Sequence, residues 1–285
     1  MHAYLLAGVD PFLTDTAARN AASLILYGRI DLATLAADPD CMIYDRAVSI
    51  SDFRDVIRPE IYRETFGKNG RVVIFTDAGR LSRMVQNAML KVLEEPPERT
   101  TFILTGSEYG LLPTIRSRCL IVRCAVSDMR DIEDELEKRG ASHTDAKRFA
   151  EMSGGVMKRA IRLYEDKGFV KLRSDVHSAL ISALIAKPDF GFTKQKRDRE
   201  DWLEANELAL LFCHDLIRAS CGLEPEFSPD RAIELKRLAE RLSPGKICRF
   251  ADLLAENAER LTTAASGGAA FDRLLAMTAG TVINR

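Results

Sequence analysis

The sequence predicts an α/β fold: a doubly wound, parallel five-stranded sheet in the N-terminal part, followed by two helical regions. Three observations carry this. Five short apolar runs, at 4–7, 42–44, 72–75, 102–104 and 120–122, do not alternate with polar residues, which suits strands buried on both faces of a parallel sheet. Helical patterns lie between the runs, and a β-α-β-α alternation points to crossover connections. Beyond about residue 125 strand patterns cease and apolar residues recur at helical spacing.

The elements can be justified in order. Thr14 or Asp15 is expected to cap a first helix running through Ala17, Ala21, Leu24 and Ile25. Ser51 is expected to cap another through Phe53, Val56 and Ile57. Leu81, Met84, Val85, Ala88, Met89 and Val92 form one apolar stripe. Pro96-Pro97 stops that helix, because proline lacks a backbone N–H and clashes with the preceding turn. The core therefore spans 1–125. A small helical region, 126–188, follows, with turns at Gly140 and Gly154-Gly155. The last region, 189–285, is expected to be all-α, with helices near 202–219, 229–242, 245–262 and 271–283. The mixed-charge run 194–201 reads as a linker or helix start. The small-residue tract 264–270 reads as a tight helix–helix connection.

Bulk composition excludes several classes. The 285 residues are 46% hydrophobic and 29% charged, ordinary for a globular protein. No apolar run approaches the ~20 residues that span a bilayer, and the N-terminus has no basic signal-like region; no membrane partner and a cytoplasmic location are expected. Lys plus Arg total 41 against 42 Asp plus Glu, without the basic excess of a protein that grips DNA by itself. The six cysteines, Cys41, Cys119, Cys124, Cys213, Cys221 and Cys248, form no C-x2-C pair, so no metal site is expected.

Two strings are the most specific features: Asn87-Ala88-Met89-Leu90-Lys91-Val92-Leu93-Glu94-Glu95-Pro96-Pro97, and Thr114-Ile115-Arg116-Ser117-Arg118-Cys119. With the strand-like runs at 72–75 and 102–104 around them, they closely resemble the ATPase core of bacterial sliding-clamp loaders, the AAA+ subunits of DNA polymerase III. The resemblance implies an AAA+ core related to the P-loop nucleotide hydrolases, a helical lid over 126–188 and a collar over 189–285 through which subunits assemble.

A P-loop, G-x-x-x-x-G-K-[ST] after the first strand, cradles phosphates with backbone N–H groups, neutralises them with Lys and holds Mg²⁺ with the hydroxyl. Counting from Gly8, this chain places Leu13 at the second glycine, Thr14 at the lysine and Asp15 at the hydroxyl. Leu13 adds a side chain where backbone must approach phosphate, and Thr14 removes the cation. Asp15 adds a charge that repels polyphosphate by about 1 kcal/mol even in full solvent. The family's Mg²⁺-holding acid after the third strand is Thr76 here, with only Asp77 remaining. Lys68 and Lys91 are not placed to substitute. No bound nucleotide or other cofactor is expected.

Ser117-Arg118-Cys119 resembles the clamp-loader motif whose arginine reaches into the ATP site of a neighbouring subunit. Such fingers accelerate hydrolysis by about 10³ to 10⁵ in related nucleotide hydrolases. The resemblance thus implies a catalytic role in trans for Arg118, with Arg116 supporting the turn. Thr105 takes the sensor-1 position. Lys158, after Gly154-Gly155, takes the sensor-2 position, where Lys lacks the planar fork of Arg.

A broken phosphate loop with a retained finger resembles the delta-prime group of clamp-loader subunits. The implied role is a non-hydrolysing stator, an enzyme component only by association with the polymerase. Implied partners are the gamma/tau ATPase subunits and the delta subunit, with the sliding clamp and primer-template DNA indirect. The four-cysteine zinc module of many relatives is missing from 28–40. Two other readings stand: an active gamma/tau-like ATPase, and a delta-like clamp-opening subunit.

Overall fold

The computed structural model describes residues 2–44, 48–263 and 266–283. They form two compact units: Met1–Asp128 with Gly155–Lys158, and Met129–Gly154 with Arg159–Arg285.

The first unit is built on a parallel five-stranded sheet: β1 (Ala3–Ala7), β2 (Cys41–Tyr44), β3 (Arg71–Phe75), β4 (Thr100–Gly106) and β5 (Leu120–Arg123), in the order β2-β3-β4-β1-β5. All five fall on the predicted apolar runs. The three central strands are buried on both faces. In β3, Val73 and Phe75 join the cluster under α5 (Arg83–Glu94), while Val72 and Ile74 join the one under α1 (Pro11–Tyr27). The edge strands differ: β2 is half-buried throughout and β5 leaves Leu120 and Val122 exposed, because each has only one neighbouring strand. Among the described residues, no helix is long and apolar enough to cross a membrane.

Local details correct three expectations. Helix α1 begins at Pro11 and is capped by Asp10, not by Thr14 or Asp15; proline's fixed φ and missing N–H suit it to a helix's first position. The helical stretch after β2, α3 (Ile50–Asp52), a π-turn (Phe53–Ile57) and α4 (Arg58–Ile61), is capped by Ser49, which exchanges hydrogen bonds with Asp52; Ser51 lies inside it. Met84 is 63% exposed and lies outside the buried stripe of α5.

Residues 28–40 form a short excursion carrying α2 (Leu32–Leu35). Its two ends are held together, since the Tyr27 hydroxyl donates to Asp38 at 2.5 Å. Just beyond, Arg71 is 2% exposed and pairs with Asp40 at 3.2 Å, while donating to the carbonyls of Glu60, Ile61, Arg63 and Glu64. Between β4 and β5 lies the short α6 (Pro113–Arg116).

The second unit is helical: α7 (Met129–Lys138), α8 (His143–Ser153), α9 (Met157–Glu165, whose first two residues belong to the first unit), α10 (Lys167–Leu184), α11 (Arg199–Ser220), α12 (Ala232–Arg241), α13 (Pro244–Thr263) and α14 (Gly267–Ile283). Segments read as lid and collar share one hydrophobic cluster, from Met152 to Leu275. The mixed-charge run ends as the start of α11, where Asp198 and Asp201 form a reciprocal cap. Ala264 and Ala265 of the small-residue tract lie outside the described residues. Gly267 packs closely enough that an added Cβ would sit 2.3 Å from Trp202. Gly154 and Gly155 have φ of 58° and 79°, a left-handed region that favours glycine.

Candidate functional site

Strands β3, β4 and β1 lie side by side and parallel, so their carboxyl ends open onto one crevice, the usual ligand position in open α/β sheets. The loop from β1 to α1 is only Gly8, Val9 and Asp10. Asp10 is 2% exposed. Its carboxylate accepts from Phe12 N at 3.0 Å and, from 147 residues away, from Met157 N at 2.5 Å; Lys158 N lies at 3.4 Å. One carboxylate thus occupies the N-termini of both α1 and α9, where free N–H groups and the helix dipole favour an anion.

Of the residues expected at phosphate-loop positions, Thr14 is turned into the fold and Asp15 is engaged by a neighbouring strand. Thr14 is fully buried, and its hydroxyl donates to the Asp10 and Pro11 carbonyls at 3.3 Å each. Its methyl packs against the start of the loop: a Cβ on Gly8 would lie 2.9 Å from it. Leu13 is half-buried in the first turn of α1. Asp15 accepts from the Thr105 hydroxyl at 2.8 Å, and the same Thr105 oxygen accepts from Asp77 N at 3.0 Å. A single hydroxyl at the end of β4 therefore joins α1 to the turn after β3. Burial raises the Asp15 pKa above the ordinary carboxylate value, opposed by the Thr105 hydrogen bond and the Lys158 and Arg19 charges. Asp77 sits in the left-handed region at φ 45° and pairs with Arg80 at 2.7 Å. Thr76 turns its hydroxyl to the Tyr44 carbonyl at 3.4 Å. Lys158 is exposed.

Arg118 belongs to a second group of residues. It follows α6, and its guanidinium donates to Glu94, the last residue of α5, and to the Thr114 carbonyl at 2.7 Å. Its side chain remains 33% exposed. Ser117 donates to the same Thr114 carbonyl at 3.0 Å. Cys119 packs against the sheet cluster, and burial pushes its thiol up to about 11, leaving it neutral. Arg116 is half-buried, with a buried Nε that has no partner. Among the described residues no cluster of His, Cys, Asp or Glu could hold a metal ion.

The structure thus brings Gly8, Thr14, Asp15, Asp77, Thr105 and Lys158 to one crevice and holds Ser117, Arg118 and Cys119 on other partners. Sequence reasoning missed Asp10 and Glu94. The Asp10-Pro11 pair was a legible helix start, but nothing local announces its bond to Met157.

Sheet order and connecting helices define a parallel, five-stranded α/β core, with a mostly helical C-terminal part. Residues 39–128 match the family model described as DNA polymerase III, delta subunit. The chain is 32% identical over 123 residues to DNA polymerase III subunit gamma of Buchnera aphidicola subsp. Schizaphis graminum, covering 41% of this chain and 34% of the relative. It is 35% identical over 69 residues to subunit delta' of the same organism, covering 24% and 21%. The chain spans about a third or less of the length of these curated relatives. A solved gamma subunit-related protein from Thermotoga maritima is 17% identical, with 99% of this chain and 95% of that one covered and a TM-score of 0.46.

Proposed function

We propose that this protein is a clamp-loader subunit of the delta-prime kind: it holds no nucleotide itself and presents Arg118 to the ATP site of an adjacent gamma/tau-like subunit. The observation that carries the reading is the state of its own crevice. Asp10 fills the anion position at two helix N-termini, Thr14 stands where a lysine would neutralise phosphate, and Asp15 puts a carboxylate at the metal-holding hydroxyl. Each change opposes a triphosphate with Mg²⁺ by charge or by occupied volume.

Arg118 supplies what the chain retains. A guanidinium is always charged and forks onto phosphate oxygens, so it stabilises the charge that develops as the γ-phosphoryl leaves. Placed after α6 and one-third exposed, it can be met by a neighbouring subunit. The chain acts as the fixed member of a ring whose partners are the ATPase subunits and a delta subunit. It couples their hydrolysis to release of the sliding clamp on primed DNA, and its helical second unit contributes the collar.

The test is the Arg118→Ala variant in a loader assembled from this chain and its cognate subunits. Clamp- and DNA-stimulated ATP turnover is expected to fall at least tenfold, a small part of the 10³ to 10⁵ that such fingers supply. Turnover equal to wild type refutes the proposal.

A further inference from the structure

Helix α5 ends on two acids, Glu94 as its last residue and Glu95 as its C-cap. This is the negative end of the helix dipole, where carboxylates are unfavourable and cations preferred. A sequence that breaks a local rule at such a point usually does so for a site. Glu94 faces a specific partner across 24 residues of sequence: the Arg118 guanidinium, which also donates to the Thr114 carbonyl. The pair lies at the surface, with side chains 33% and 47% exposed, so it adds little to stability. Its effect falls on where the guanidinium points. An arginine side chain has great rotamer freedom, and a finger that must find a phosphate loses rate to that freedom. Two fixed acceptors, one on α5 and one on α6, leave Arg118 a narrow range of positions, while no other hydrogen bond from its guanidinium occurs among the described residues.

We propose that Glu94 is the positioning residue of Arg118, holding the guanidinium in the orientation in which it meets a neighbour's phosphate; this rests on the arginine-finger reading above. Glu94 itself touches no substrate. Its carboxylate takes one N–H of the fork and the Thr114 carbonyl takes another, which leaves the remaining N–H groups for phosphate oxygens.

The experiment compares wild type, Glu94→Gln, Arg118→Ala and the double variant, each assembled with the cognate loader subunits, sliding clamp and primed DNA, with ATP turnover read at steady state. Glu94→Gln is expected to lower kcat on the order of tenfold and leave the KM for ATP within about twofold. In the double variant it is expected to add nothing to Arg118→Ala, since the two residues act as one unit. Thermal unfolding of the isolated Glu94→Gln chain should match wild type, which separates positioning from folding. A kcat for Glu94→Gln equal to or above wild type overturns the proposal, as does a further loss on top of Arg118→Ala. If Arg118→Ala itself turns over like wild type, the arginine-finger reading fails first and this one with it. If Arg118→Ala is impaired and Glu94→Gln is not, only the role of Glu94 is lost.

Discussion

Replacing Asp10 by Ala removes one side chain and uncaps two helices. In the native chain its carboxylate receives Phe12 N at the start of α1 and Met157 N, with Lys158 N more distant, at the start of α9. An N-cap replaced by Ala costs about 1 kcal/mol, so two caps amount to about 2 kcal/mol. A buried negative charge at two positive helix ends adds about another 1 kcal/mol, giving about 3 kcal/mol for Asp10→Ala. Asp10→Asn is milder, about 1.5 kcal/mol, because its oxygen still serves Phe12 N while its NH₂ faces another donor at Met157. Amide hydrogen exchange reads this locally: Met157 is expected to exchange at least about tenfold faster in Asp10→Asn, as 1.4 kcal/mol is a factor of ten, while Phe12, bonded to the retained oxygen, changes little. Urea unfolding of Asp10→Ala should show the larger loss. A cost below about 0.5 kcal/mol, or unchanged exchange at Met157, refutes the double-cap account.

Other expectations are more direct. Titration of the isolated chain with a fluorescent ATP analogue and Mg²⁺ should show no micromolar binding; such binding would return the chain to the active ATPase class. His177 is 1% exposed, and its pKa is pushed down to about 3, first by desolvation and second by the Arg173 charge. It stays neutral in the fold and gains a proton on unfolding in acid. The stability it permits is full above the ordinary imidazole value of 6.5 and is lost as pH falls toward 3, by about 1.4 kcal/mol per unit at most. His177→Leu should flatten the decline between about pH 6 and pH 4 in urea unfolding; an unchanged slope would show that other groups set it.

The sheet was legible because its signal is local. Strands β3 and β4 are apolar on both faces, and each run of the pattern is complete in itself. Helix starts were less legible: Ser49 and Ser51 are equally good caps by type, and only the position of Asp52 chooses between them. Met84 fits the apolar spacing of α5 yet has nothing above it, which spacing alone does not reveal. The crevice was half legible. The missing lysine and the acid at position 15 can be counted from Gly8, but Asp10 reaching Met157 and Glu94 reaching Arg118 join residues far apart in the chain. Such bonds exist only once the sheet has brought the elements together.

The short excursion between α1 and β2 has a consequence for how such chains can diverge. Its mouth is stitched shut by the Tyr27–Asp38 bond, and the floor beneath it is gripped by Arg71 through Asp40. Whatever lies between those stitches is a bight hung from a closed knot. Lengthening it adds only about 0.6 kcal/mol of closure entropy per doubling and leaves the sheet undisturbed. The excursion can therefore shorten or lengthen without the rest of the molecule having to change.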